Sequence, residues 1–150
     1  MKKFNFSLQK VLEIKEQFLE NLKIELSNLN HEYRKIEKHI VELKDKFEVV
    51  NNEFIEKSCI SVSVGEMMYY KMYMDRILKN IESKEEEKAA LMKSIEAKRI
   101  EIINMNKEIS TLEKLKEKEI EKYNKILEKK EEIFIEEFVA NKGMTEKFAI

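Results

Sequence analysis

The sequence has 150 residues, 39% of them charged and 43% hydrophobic, and its 29 basic and 30 acidic side chains leave a net charge of −1. A typical globular domain has about 25% charged residues, so this composition indicates an elongated protein with a large surface. The two signs alternate finely and form no basic face or tail, which argues against a DNA- or RNA-binding protein.

Composition also bears on where the protein works. No apolar run approaches the roughly 18 residues that a membrane-spanning helix needs. No signal peptide is predicted, because charges follow Met1 too closely for an apolar core. The single cysteine, Cys59, cannot form a disulfide within the chain and favours a reducing compartment. We therefore expect a soluble, cytoplasmic protein.

A seven-residue apolar repeat predicts a first long helix over about residues 7–57. The chain has no proline, and its only glycines, Gly65 and Gly143, lie outside this range, so nothing interrupts the helix. The predicted seam positions are apolar or aromatic, with Lys15 as the exception: Leu8, Leu12, Lys15, Leu19, Leu22, Leu26, Leu29, Tyr33, Ile36, Ile40, Leu43, Phe47, Val50 and Phe54. Phe4, Val11 and Phe18 add a flanking stripe.

A bend is predicted at about residues 58–63, where β-branched residues alternate with serine and disfavour a helix. Ser63 is placed as the N-cap of a second helix, with Glu66 completing a capping box and Val62 and Met67 in the staple positions. The second helix is predicted over about residues 64–141. Gly143 would end it, leaving a short tail at 142–150.

The second helix has a less regular seam. Long lysine stems can lie along such a seam with the ammonium group in water, so the helix survives with looser packing. Its apolar positions are Met67, Tyr70, Met74, Ile77, Ile81, Leu91, Ile95, Ile102, Met105, Ile109, Leu112, Tyr123, Ile126 and Ile133. They are interrupted by Lys84, Lys88, Lys98, Lys116, Glu119 and Lys130.

The predicted fold is all-α: a single domain over residues 1–150, formed by a long antiparallel two-helix coiled-coil hairpin whose second helix is the longer. Residues after about Glu121 would then overhang the first helix, apart from whatever the first few residues of the chain cover. This overhang ends in an apolar stretch suited to a partner, formed by Ile133, Phe134, Ile135, Phe138 and Val139.

Catalytic chemistry is not predicted. The chain lacks a glycine-rich phosphate loop, so any ATP hydrolysis must belong to a partner. His31 and His39 are not preceded by a glutamate at the spacing of di-iron bundles and are expected to be solvated. Cys59 has no positioned base and is expected to be a loop thiol. We expect no enzyme activity, no metal and no cofactor.

Three segments resemble the flagellar FliJ family: FNFSLQKVLEIKE (residues 4–16), LEKLKEKEIEKY (residues 112–123) and EEIFIEEFV (residues 131–139). These proteins are soluble components of the flagellar type III protein-export apparatus. The resemblance implies a coiled coil like that of the rotary ATPase γ subunit. It also implies association with the ring-forming export ATPase through the end that holds both termini. Two further implied partners are the cytoplasmic part of the export gate, contacted nearer the bend, and export chaperones. A peripheral location at the inner face of the cell membrane follows.

Two candidate surfaces follow from the pattern and the resemblance. The first is an ATPase-ring docking surface made of Phe4, Phe6, Val11, Phe18, Phe134 and Phe138; the alternative is that these side chains only close the open end of the coiled coil. The second is an export-gate contact made of Phe47, Val50, Phe54, Tyr69, Tyr73 and Ile77; the alternative is a thickened hydrophobic tip.

Two other functions remain open at this point. A holding chaperone of the prefoldin kind also uses helical hairpins and would take a strand from ISVSV (residues 60–64). A dimeric structural coiled coil would need both arms to run straight through the bend. We expect a monomer in isolation.

Overall fold

The computed structural model describes the backbone of residues 3–148 and the side chains of residues 3–144. Helix α1 spans Gln9–Ile60 with 52 residues, and helix α2 spans Val64–Phe148 with 85 residues. Residues 61–63 connect them, and the described residues contain no strand. The all-α fold with two packed helices and a longer second helix is confirmed. The ends of the predicted domain and tail, at residues 1–2 and 149–150, lie outside the described residues.

The bend is shorter than predicted because α1 continues through Ser58 and Cys59. The Ser58 hydroxyl donates a hydrogen bond to the Phe54 carbonyl oxygen at 2.7 Å. The Ser61 backbone N–H donates to the Lys57 carbonyl oxygen at 3.1 Å. A serine that bonds back to the preceding turn satisfies a carbonyl without leaving the helix. Cys59 is therefore an exposed residue in the last turn of α1 rather than in a loop.

Helix α2 begins where the capping pattern predicts. The Glu66 backbone N–H donates to the Ser63 hydroxyl oxygen at 3.2 Å, and the Met67 N–H donates to the Ser63 carbonyl at 3.0 Å. Ser63 is thus the N-cap, and it satisfies one of the N–H groups that a helix start leaves without a partner.

The predicted end of α2 at about residue 141 is wrong, because the helix passes through Gly143 and ends at Phe148. No glycine of the described chain has a positive φ, so Gly143 does not adopt the left-handed C-cap conformation. A glycine inside a helix costs only about 1 kcal/mol relative to alanine. With no proline nearby, that cost is too small to end the helix.

The chain divides into two compact units. One joins the start of α1, up to Leu19, to the part of α2 from Asn104 onward; the other is Glu20–Ile103. In the first unit, Phe4 packs on Tyr123 and Lys15 pairs with Glu108. Residue numbers rise along one helix as they fall along the other, so the helices are antiparallel there. That the two units act as one domain stays a prediction.

The second unit is also antiparallel, and it contains the connection between the helices. Lys98 pairs with Glu25, Lys44 with Glu85, and Phe54 packs on Tyr70. The contacts on α2 therefore move toward its start as those on α1 move toward its end.

The hydrophobic core is the seam itself. Only a few side chains are fully buried, because two helices cover a seam residue on one side and leave the other side open. Every predicted seam position of α1 is buried or half-buried. The buried hydrophobic residues are Phe6, Leu12 and Ile109 in the first unit, and Ile40, Val50, Ile77 and Ile95 in the second.

The seam of α2 differs from the prediction at both ends. At its start, Met67 is 47% exposed. Near its end, Ile126 is 55% exposed and Ile133 is 49% exposed, whereas Leu127 is half-buried. Leu127 lies four residues after Tyr123, and a four-residue step keeps a side chain on the same helix face. The charged interruptions Lys84, Lys88, Lys98, Lys116 and Glu119 are half-buried seam residues, as predicted, while Lys130 is exposed.

Candidate partner-binding surfaces

In the first unit, the two phenylalanines at the start of the chain belong to the packed interior. Phe6 is only 4% exposed. Phe4 is half-buried, and its ring centroid lies 5.6 Å from that of Tyr123 in a tilted contact. For these two residues the geometry matches the alternative that they close the coiled coil, and neither presents a wide outer face.

The two other predicted docking residues on α1 are exposed. Val11 is 40% exposed and Phe18 is 54% exposed. Ile14, which is 55% exposed, lies between them at helical spacing, so the three side chains share one face. This α1 stripe (Val11, Ile14, Phe18) is the outer apolar face of the first unit.

The terminal segment of α2 (residues 133–139) is the most exposed apolar run of the first unit. Every residue from Glu128 to Met144 is exposed. Phe134 is 69% exposed and Phe138 is 60% exposed. The first residues of the chain cover the start of the predicted overhang, because Phe4 packs on Tyr123. A bare apolar surface of this kind marks an interaction site.

In the second unit, the predicted gate residues divide by burial. Val50 is 9% exposed and Ile77 is 3% exposed, so both belong to the core. Phe47 and Phe54 are half-buried. Tyr69 is 67% exposed, and its ring stacks on that of Tyr73 at 6.4 Å with an interplanar angle of 6°. These two tyrosines, four residues apart, share a helix face.

The sequence pattern placed Tyr70 in the seam, where it is half-buried, but did not assign it to this cluster, which it organises. Tyr70 contacts Phe54 at 5.6 Å and Tyr69 at 6.0 Å between ring centroids. Lys57 Nζ lies 5.4 Å from the centre of the Tyr70 ring, and its hydrogen bond to Tyr70 raises the Lys57 pKa above the usual value. Lys46 lies 5.4 Å from the centre of the Tyr73 ring. The sequence signal that could have identified this cluster is the set of lysines on α1 that face tyrosines on α2.

Two exposed methionines border the tyrosine cluster (Tyr69, Tyr70, Tyr73). Met68 is 61% exposed and Met72 is 68% exposed, and they lie four residues apart on one face. Methionine is flexible and polarisable, so such a ridge can adapt to different partner surfaces. Met68 was missed because it directly follows Met67, which was assigned to the seam and is itself 47% exposed.

Two charged residues of the seam, Lys98 and Lys15, form ion pairs with the facing helix. Lys98 Nζ lies 2.6 Å from Glu25 Oε2 and 3.5 Å from Glu101 Oε2. The hydrogen bond to Glu25 is the main reason that the Lys98 pKa is raised. In the first unit, Lys15 Nζ lies 2.6 Å from Glu108 Oε2.

The titratable groups that could carry chemistry are dispersed. His31, His39 and Cys59 are exposed. Among the described residues, no cluster of three or more His, Cys, Asp or Glu side chains could hold a metal ion. Within the same part of the chain, neither helix is long and apolar enough to cross a membrane.

The fold and its exposed surfaces define the class of protein as an antiparallel coiled-coil hairpin with unpartnered apolar faces. The flagellar FliJ protein family matches residues 4–146, which is nearly the whole chain. The chain belongs to the FliJ family and is a component of the flagellar export apparatus. It has no significant match among curated proteins or among solved structures.

Proposed function

We propose that this chain is a non-enzymatic, stalk-like coiled coil of the flagellar type III protein-export apparatus. It binds the ring of the export ATPase and links that ring to the cytoplasmic part of the export gate and to export chaperones. Membership of the FliJ family supports this proposal. ATP hydrolysis belongs to the ring, and this chain contributes contacts.

The contact with the ATPase ring is assigned to the first unit. The observation that carries it is the terminal segment, whose Phe134 and Phe138 side chains are more than half exposed. The α1 stripe, with Val11 and Phe18, supplies a second apolar face in the same unit. Phe4 and Phe6 act from inside by holding the two helices together, so their loss would disturb the surface indirectly.

The contact with the export gate is assigned to the tyrosine cluster and the adjacent methionines of the second unit. Tyrosine and methionine are enriched in protein interfaces because they offer large contact area. Tyr69 offers an exposed ring, and Tyr73 supports it by stacking. Phe54 packs on Tyr70 of this cluster. Val50 and Ile77 are buried in the same unit, and Phe47 is half-buried there.

The proposed location is the cytoplasm, at the inner face of the cell membrane, where partners hold the protein. We propose a monomer in isolation. A straight dimeric coiled coil does not fit the contacts, because α1 and α2 of one chain pair with each other in both units, as Lys15 with Glu108 and Lys98 with Glu25 show. A prefoldin-like assembly needs strands at the bend, whereas residues 61–63 form a short connection between helices.

The test of the ATPase contact is Phe138→Glu. Because Phe138 is 60% exposed, we expect the variant to keep its helicity and urea-unfolding midpoint. Its affinity for the purified export ATPase should fall about tenfold or more, since an apolar anchor becomes a buried charge. Ile103→Glu is the matched control, because Ile103 is 53% exposed and lies in the other unit. Normal ATPase binding by a folded Phe138→Glu protein would show the assignment to be wrong.

A further inference from the structure

The terminal segment (residues 133–139), together with the two residues before it, forms a local concentration of negative charge. Residues 131–139 contain four glutamates, Glu131, Glu132, Glu136 and Glu137, and no lysine or arginine, although the whole chain has a net charge of only −1. All four side chains are exposed. None of the ion pairs among the described residues involves them. Within the part of the chain that the structure describes, no ion pair neutralises this negative charge.

Helical spacing arranges these charges around the apolar side chains. Residues four apart form rows along a helix surface. Phe134 and Phe138 form one apolar row, and Ile135 with Val139 forms the row beside it. Glu132 and Glu136 border these rows on one side and Glu137 borders them on the other. Glu131 lies within a shallow depression whose wall also includes Lys130, Phe134 and Ile135. The segment thus presents an apolar strip with an acidic border.

The acidic border acts against self-association. Two copies of this segment would bring like charges together around an apolar contact, which costs free energy as water leaves. Within one helix, Glu132 and Glu136 are four residues apart, a spacing at which like charges destabilise the helix. A partner that carries positive charge at the same positions removes this repulsion.

We propose that the surface receiving residues 131–139 is an apolar groove bordered by lysine or arginine side chains. This inference rests on the proposed function, in which that surface belongs to the export ATPase. The phenylalanine row supplies apolar contact area, and the glutamates steer the approach and fix the orientation. Charges at the border of an interface change the association rate and its dependence on salt more than the dissociation rate.

The test compares two variants over a salt series, with purified export ATPase as the probe. In the first variant, Glu131, Glu132, Glu136 and Glu137 are all changed to glutamine, which keeps size and removes charge. In the matched control, the exposed residues Glu32, Glu37, Glu42 and Glu48 of α1 are changed to glutamine, so the change in net charge is identical. Binding kinetics on an immobilised ATPase are followed at low and at physiological ionic strength.

We expect the association rate of the wild-type chain to fall steeply as salt is added, because screening weakens attraction between exposed charges. The first variant should associate about tenfold more slowly in low salt and should lose most of the salt dependence. The control should behave like the wild type. Phe138→Ala, in contrast, should raise the dissociation rate about equally at every salt concentration.

Four results would overturn the inference. One is wild-type binding that does not weaken with salt, and another is a first variant that is indistinguishable from the control. Either result would show that the receiving surface has no basic border, while the proposed ATPase contact would stand. Light scattering that showed the wild-type chain to dimerise through residues 131–139 would make a second copy the occupant. A wild-type chain that does not bind the ATPase at all would refute the proposed function and this inference with it.

Discussion

Ile95 shows how much a single seam residue can contribute in a two-helix structure. It is 2% exposed and has the most completely buried large side chain of the described residues. Ile95→Ala removes buried methyl groups and leaves a cavity that two helices can only partly close. We expect a loss of about 2–4 kcal/mol in the free energy of unfolding. Urea unfolding followed by circular dichroism measures it.

The control for this prediction is Ile103→Ala, because Ile103 is the same residue type on the same helix and is 53% exposed. Its effect should stay within about 0.5 kcal/mol. Equal losses for the two variants would mean that Ile95 is not in the core.

Lys98 should make stability depend on pH in the alkaline range. Its hydrogen bond to Glu25, helped by the Glu101 charge, raises its pKa above 10.5. A lysine whose pKa is raised by folding stabilises the folded state fully below its unfolded pKa of about 10.4. This stabilisation is lost as the pH rises through the folded pKa. Relative to Lys98→Met, the wild type should therefore lose its advantage above about pH 10.5.

The measurement is urea unfolding of both proteins at a series of pH values between neutrality and the alkaline range. Lys93→Met serves as the comparison, because Lys93 is exposed on the same helix. The wild type and Lys93→Met should change in parallel. A constant difference between wild type and Lys98→Met at every pH would contradict the role of the Lys98–Glu25 pair.

At the level of the helices, the start of α2 depends on one hydroxyl group. Ser63→Ala removes the acceptor of the Glu66 N–H bond. We expect the free energy of unfolding to fall by about 1 kcal/mol, and the Glu66 amide to exchange faster with solvent. Ser61→Ala, in the same three-residue connection, should leave both unchanged. Hydrogen exchange followed by NMR distinguishes them, and equal exchange at Glu66 in both variants would show that the cap contributes nothing.

The helices could be predicted well where one apolar repeat dominates the sequence. They were predicted less well where the free energies of the alternative conformations differ little. The α1 seam follows a strict seven-residue repeat, so every predicted position lies on the packed face. On α2 the prediction placed Ile126 in the seam, whereas Leu127 is the half-buried residue. Only the position of the facing helix decides between such adjacent apolar residues. Gly143 did not end the helix as predicted, because glycine costs a helix only about 1 kcal/mol relative to alanine. The helix-favouring residues on either side outweigh that cost.

At the level of the whole molecule, the sequence predicted where apolar residues concentrate but not which of them reach the surface. Phe6, Val50 and Ile77 were assigned to binding surfaces and are buried. A heptad pattern identifies one helix face, whereas burial depends on how both helices and their ends cover that face. The terminal segment was predictable because its apolar residues continue past the length that α1 can cover.

A link between two partners works only if both contacts are on the same chain, and this requirement can be tested in cells. Phe138→Glu should remove the ATPase contact, and Tyr69→Glu, at a 67% exposed position, should remove the gate contact. We expect each variant alone, in cells without the wild-type chain, to abolish swimming while its amount in the cell stays normal. We also expect that producing both variants together does not restore swimming, because neither chain joins the ring to the gate. Cells that produce either variant together with the wild-type chain are the control and should swim. If the two variants together restored motility, the two surfaces would act on separate molecules and the linking role would be wrong.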